Sequence, residues 1–300
     1  MGARLRLSRT ILSSEFSFRT GCGQGTMMHD IPFVSSVFHP TDFSDASEQA
    51  FAHALAIAVS SRARLDIMHA GGSLMEDWEH FPAVRKTLER WGMLPQGSPR
   101  SAVSERLGVA VTKWEPGGSP ARACLRAIKK VEPELVVLST EGRTGVSRWL
   151  HPSIAERVAH RTHASTLFVP AGGQGIVSLD SGAISLGRIL IPVADRPFAN
   201  SAFALAEQLV GVCKEEVAIT TLHVNGPMPA VPTRPATNVM WEQLSAQGDV
   251  VEEILLAADS ADLIIMPTEG AHGVWDALRG STTSRVLREA GCPVLAVPAG

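Results

Sequence analysis

Sulfur is scarce in this chain: four cysteines in 300 residues, Cys22, Cys124, Cys213 and Cys292, with no CxxC pair and no histidine at ligand spacing. That excludes a zinc-finger pattern and a paired redox motif, and leaves reduced, buried thiols as the expectation. Long apolar runs are also lacking. None reaches the roughly 18 residues a membrane helix needs, so no membrane partner is expected. Positive charge is not in excess. The formal net charge is −3, and the first 28 residues hold four Arg against one Glu, leaving about −6 on the remainder. A body with that balance is not built for non-specific nucleic-acid binding. The Walker A lysine pattern, GxGxxG, HExxH, a Ser-His-Asp order and paired carboxylates are all absent, so no catalytic residue is assigned.

What the chain does contain, it contains twice. Shifted by 128, residues 135–172 lie over 263–300 without a gap, and 15 of the 38 positions are identical. Thr140/Thr268, Glu141/Glu269, Gly142/Gly270, Gly145/Gly273, Ser153/Ser281 and Arg157/Arg285 are among them. Each copy reads as strand, glycine turn, helix, strand. A match of that length marks an internal duplication, and function is to be read per repeat. A strand that leads through glycines to a helix N-terminus can cradle an anion, because first-turn N–H groups are unpaired and the dipole is positive there.

Taken in order, residues 1–30 show no sustained period and are expected to lie outside the fold, as a disordered extension or sequence ahead of a start at Met27 or Met28. Position 6 is Arg, so the myristoylation pattern after Met1-Gly2 fails. The first repeat, 31–172, alternates strands with helices. Strands are expected at Phe33–Phe38, Leu65–His69, Val109–Trp114, Leu135–Leu138 and Thr166–Val169. Helices are expected around Ala50–Ala58 and at Pro120–Val131. Met75–Trp91 is a charged amphipathic piece whose Trp78, Phe81, Val84, Leu88 and Trp91 either cover a core edge or face a partner. Residues 173–187 form a Gly/Ser-rich linker. The second repeat, 188–300, has strands at Arg188–Val193, Val217–Val224, Asn238–Leu244, Leu263–Met266 and Val294–Val297. Its helices are expected at about Ala199–Val212, at Asp249–Ala258 and from Gly280-Ser281-Thr282 onward. The four prolines in 225–237 remove one helix that the first repeat has. Continuously apolar strands alternating with helices indicate a parallel sheet buried on both faces, with any ligand at the C-terminal strand ends.

The run Pro40-Thr41-Asp42-Phe43-Ser44 after the first strand, with the Gly-x9-(Gly/Pro)-Ser spacing after the fourth, resembles the universal stress protein family. The tandem arrangement over about 31–300 resembles its two-domain members. The resemblance implies two doubly wound parallel five-stranded sheets, Rossmann-like and of the adenine nucleotide alpha hydrolase-like type. It implies pairing of the domains through their last strands, setting Thr166–Val169 near Val294–Val297 as an intramolecular pseudo-dimer, with a homodimer open. Some members bind ATP and others bind no nucleotide.

Nucleotide-binding members carry Gly-x-x-Gly, nine residues, then Gly-Ser or Gly-Thr. Repeat 1 has Ser139, Gly142, Pro152 and Ser153 at these positions; repeat 2 has Pro267, Gly270, Gly280 and Ser281, followed by Thr282. Pro152 and Pro267 each remove an N–H a phosphate would use, although Pro152 also suits a helix start. Repeat 2 is therefore the better phosphate candidate. At the adenine end the ranking reverses, since the family's acidic residue matches Asp42, whereas Asp195 sits one residue out of register. The alternative role for Asp42 is a helix N-cap. The carried-over binding set is Pro40, Thr41, Asp42, Ser139, Gly142, Gly145, Ser153, Asp195, Thr268, Gly270, Gly273, Gly280, Ser281 and Thr282, for ATP with magnesium. His39, His69, His223 and His272 lie near strand ends or turns, where core or rim roles compete with ligand contact. Glu141 and Glu269 suit a general base, a magnesium contact or simple turn stabilisation. The expectation is a cytoplasmic stress-response binding or regulatory protein. The rivals are a protein-interaction module using residues 74–91 and a small-molecule hydrolase using Glu269 or His272.

Overall fold

In the computed structural model of the chain, the residues described are 8–11, 33–69, 81–140, 164–196, 198–212, 216–231, 238–268 and 282–299. The strands are β1 (Ser8–Ile11), β2 (Ser36–Pro40), β3 (Arg64–Met68), β4 (Val111–Trp114), β5 (Leu135–Thr140), β6 (Ser165–Pro170), β7 (Arg188–Pro192), β8 (Val217–Val224), β9 (Val239–Ala246), β10 (Leu263–Thr268) and β11 (Val294–Pro298). The helices are α1 (Asp45–Ser61), α2 (Val84–Arg90), α3 (Ala102–Leu107), α4 (Pro120–Val131), α5 (Asn200–Val212), α6 (Val250–Ala258) and α7 (Thr282–Glu289).

All eleven strands join one sheet, in the order β1-β9-β8-β7-β10-β11-β6-β5-β2-β3-β4. Each half contributes five parallel strands, and the halves meet where β11 runs antiparallel to β6, with Val294 opposite Phe168, Leu295 opposite Leu167 and Ala296 opposite Thr166. The last-strand pairing implied by the family resemblance is therefore present, and it is carried by main-chain hydrogen bonds at the centre of the sheet.

Period-two alternation decides which side of the sheet each residue serves. Val37, Leu65, Val137, Leu167, Leu295, Ile265, Ile189 and Ile219 point into one core that runs unbroken across both halves beneath α1 and α5. Their neighbours in sequence turn the other way and form two separate cores. Phe38, Val136 and Phe168 pack with Cys124 of α4, and Leu190, Leu222 and Ile264 pack with Ile254 of α6 and Val286 of α7. Helix α1 is apolar on nearly all sides because it lies inside this body: Phe51, Ala54, Leu55 and Ala58 are each at most 3% exposed. Ser44 caps it by accepting from the Ser47 N–H, and Arg62 ends it in the left-handed region at φ 51°.

Three stretches differ from the sequence expectation. Ser8–Ile11, inside the stretch read as lying outside the fold, adds an antiparallel edge strand to β9. A short helix, α3, appears where no periodicity announced one. The stretch 173–187, read as a linker, is packed. Ile176, Val177 and Leu186 are buried in the shared core, and Val177 bridges to Ile184. Phe81, Val84, Leu88 and Trp91 are buried as well, so these four cover a core edge and offer no surface to a partner. Trp78 lies outside the described residues.

Candidate functional site

In each half, strand order reverses between the first and fourth strands, β2 and β5 in one and β7 and β10 in the other. Crossovers leave such a point in opposite directions, which opens a crevice at the C-terminal ends of the two strands. Of the sequence-derived set, Pro40, Thr41, Asp42 and Ser139 lie at the first crevice, and Asp195 and Thr268 at the second. Thr282 begins α7. Gly142, Gly145, Ser153, Gly270, Gly273, Gly280 and Ser281 lie outside the described residues, as do Glu141, Glu269 and His272.

The turn after β2 is built by its own short side chains. Thr41 Oγ1 accepts from the Phe43 N–H at 3.1 Å and from the Ser47 hydroxyl at 2.9 Å. Asp42 Oδ1 accepts from the Ser44 N–H at 3.1 Å and from its hydroxyl at 2.5 Å. Ser44 is the N-cap, so Asp42 orients the cap instead of being it. Phe43 takes φ 62° to close the turn, and its ring stacks on His69 at 4.0 Å. A cleft of about 390 Å³ opens beside this turn, with Thr41, Phe43 and Ser44 on one wall and Lys86, Thr87 and Arg90 on the other.

Hydrogen bonds identify the equivalent residues of the two halves more firmly than the alignment does. The Thr41 N–H donates to the Met68 carbonyl at 2.7 Å while His69 Nδ1 donates to the Thr41 carbonyl at 2.9 Å. The Val193 N–H donates to the Leu222 carbonyl at 2.8 Å while His223 Nδ1 donates to the Val193 carbonyl at 2.9 Å. Val193 is thus the counterpart of Thr41, and Ala194 that of Asp42. Asp195 stands one residue beyond, exposed, as the register predicted. At the far side of each crevice the Thr140 carbonyl accepts from Ala171 N–H at 3.0 Å and the Thr268 carbonyl from Ala299 N–H at 2.6 Å.

The histidines are placed by backbone carbonyls. A carbonyl only accepts, so Nδ1 carries the proton in His39, His69 and His223. His39 Nδ1 donates across the crevice strands to the Val137 carbonyl at 3.0 Å, and its Nε2 is buried with no hydrogen-bond partner among the described residues. Burial lowers its pKa to about 4; the bond to Val137 and the charge of Asp42 act the other way but do not restore it. His39 is a neutral core residue, as the sequence reading allowed. Cys124 and Cys292 are free and buried, and burial raises their thiols to about 12 and about 11.

Sequence reasoning missed one pair that ties the first and fourth strands of each half together at the end opposite the crevice. Glu134 accepts from Ser35 N–H at 2.7 Å and Ser35 Oγ at 2.8 Å, and Asp262, its counterpart 128 residues on, accepts from Gly187 N–H and Arg188 N–H at 2.8 Å each. An acid immediately before the fourth strand in both copies was the available signal. Among the described residues no group of three His, Cys, Asp or Glu is placed to hold a metal, and no helix is long and apolar enough to cross a membrane.

Comparison with known proteins agrees with the geometry. The sequence model of the universal stress protein family matches residues 36–170 and 234–298. A curated universal stress protein of Methanocaldococcus jannaschii is 31% identical over 137 residues, covering 43% of this chain and 78% of that relative. Among solved structures, a universal stress protein from Archaeoglobus fulgidus superposes with a TM-score of 0.59 at 18% identity, covering 90% of this chain and 99% of that one. A universal stress protein so described from Pseudomonas aeruginosa superposes with a TM-score of 0.54 at 12% identity, covering 88% and 93%.

Proposed function

Because this chain belongs to the universal stress protein family, we propose that it is a stress-response binding and regulatory protein that holds an adenine nucleotide, mainly in its second repeat. The observation that carries this reading is the order of parts at the second crevice. β10 ends at Thr268 beside β7, and α7 begins at Thr282. The glycine-bearing segment between them, with Gly270, Gly273, Gly280 and Ser281, leads into the first turn of α7, whose amides and dipole favour phosphate. Repeat 1 keeps the other half of the site. Asp42 and Ser139 flank its crevice, and a carboxylate there suits ribose hydroxyls or a base amine. In repeat 2 the carboxylate on offer is Asp195.

The nucleotide-free interaction module has less support, since Phe81 and Trp91 are buried. The hydrolase reading depends on Glu269 and His272 and gains nothing from the described geometry.

Calorimetric titration of the full chain with ATP, with and without magnesium, tests the proposal, with Gly280→Asp beside it. Micromolar binding that the added carboxylate abolishes is the expected result. No heat and no thermal stabilisation at millimolar ATP would overturn it.

A further inference from the structure

The outer edge of the first half carries a second cleft, about 710 Å³, between α2, α3 and the edge strand β4. It is two strands away from the β2/β5 crevice. Its floor is apolar: Val84, Val103 and Val109 are buried at 7% exposure or less. Among the described residues its ionisable groups are all cations, Arg85, Lys86, Arg100 and Lys113, and no described carboxylate lines it. This concentration runs against a chain whose net charge is −3.

The fold uses these cations unequally. Arg85 is occupied, 3.6 Å from Glu89 and donating to the Ser98 carbonyl at 2.9 Å. Lys113 donates to the Pro82 carbonyl at 3.2 Å and lies 5.4 Å from the centre of the Phe81 ring, but meets no acid among the described residues. Lys86 and Arg100 make no hydrogen bond or ion pair with the described residues. Lys113 is half-buried, and its pKa is lowered first by that burial and then by the charge of Arg100. Two like charges lining one cleft with an apolar floor, with no counter-ion among the described residues, form an arrangement that an anion relieves.

We propose that the α2–α3–β4 cleft binds a small organic anion with an apolar body, its carboxylate or phosphate head held between Arg100 and Lys113. The volume falls in the range of small-molecule sites, and the mix of an apolar lining with a few convergent polar groups is the usual composition of one. A charged head between two cations gains strong hydrogen bonds, and the tail covers Val84, Val103 and Val109. The site is separate from the second repeat's crevice and does not depend on it; Lys86 also lines the cleft beside the turn after β2.

The test uses the full chain and the fluorescent sulfonate 8-anilinonaphthalene-1-sulfonate. Saturable binding should be displaced by octanoate or octyl phosphate and not by octanol, and the ranking of the two anions identifies the head group. Arg100→Gln and Lys113→Met should each weaken the probe about tenfold. The melting temperature of Lys113→Met should change little, because the change removes a repulsion together with the bond to Pro82 and the contact with the Phe81 ring. Equal displacement by octanol, unchanged binding in both variants, or stronger displacement by polyglutamate than by either small anion would overturn the proposal. Saturating ATP and Gly280→Asp should leave the probe in place; displacement by ATP would put the probe in the nucleotide crevice and also overturn it. Failure of ATP to bind bears only on the nucleotide reading.

Discussion

His53 Nε2 accepts a hydrogen bond from the Ile176 N–H at 3.0 Å, fastening the stretch between the two repeats to the middle of α1. The other ring nitrogen, Nδ1, donates to the Gln49 carbonyl at 2.8 Å, so both nitrogens are used and the ring must be neutral. Burial lowers its pKa to about 4, only partly opposed by that bond to Gln49.

Stability should therefore fall with acid before any carboxylate titrates. His39 and His53 both have folded pKa values of about 4 against 6.5 unfolded. The native state binds fewer protons between those values, so their contribution is complete above about pH 6.5 and is lost as pH falls toward 4. Urea unfolding at pH 7.5 and pH 5 should differ by on the order of 2 kcal/mol per histidine. His53→Gln should remove about half of that difference. A flat profile would mean that neither ring is held neutral.

The second anchor of the same stretch is Trp91, whose Nε1 donates to the Leu179 carbonyl at 2.8 Å. Gly182 lies flat on its ring at φ +67°, and an added Cβ would sit 2.3 Å from the ring carbon Cε3. Gly182→Ala combines an unfavourable backbone conformation with a clash against a buried aromatic, and should cost about 2–4 kcal/mol. A melting temperature within about a degree of the parent would refute this packing.

Glu134 and Asp262 hold the entry of the first strand in each repeat. Glu134→Ala and Asp262→Ala should each destabilise by about 0.5–1.5 kcal/mol, because each removes the acceptor of two hydrogen bonds whose donors water can reach. The two values should be similar, since the contacts are repeated. Chemical denaturation of both variants checks it, and a large inequality would show that the copies have diverged at their base.

Ala194 occupies the place of Asp42. If the second repeat holds the nucleotide, Ala194→Asp should tighten ATP by about fivefold, the worth of one added hydrogen bond of about 1 kcal/mol. Asp42→Asn should leave that site unaffected. Calorimetry on both variants decides, and the opposite pattern would move the nucleotide to the first repeat.

Much of the fold was legible because strand and helix periods are local. Pro120–Val131 and Val217–Val224 have the limits the sequence predicts, Pro120 opening one helix and an apolar run marking the other as a strand. Helix α3 was not legible. It is 6 residues long, with only Ala102 and Val103 buried, too short for a helical period to show. The stretch 173–187 was misread because Gly and Ser dominate its composition. Gly175 and Gly182 serve close approach to His53 and Trp91, which composition cannot distinguish from slack.

By itself the sequence determined the duplication, the α/β alternation and the register slip between Asp42 and Asp195, because each is a matter of spacing along one chain. Tertiary structure alone decided that one core runs unbroken across both halves, that His39 and His53 are neutral, and that Arg100 and Lys113 line one cleft. Those relationships join residues far apart in sequence, and burial and charge depend on which neighbours the sheet brings together.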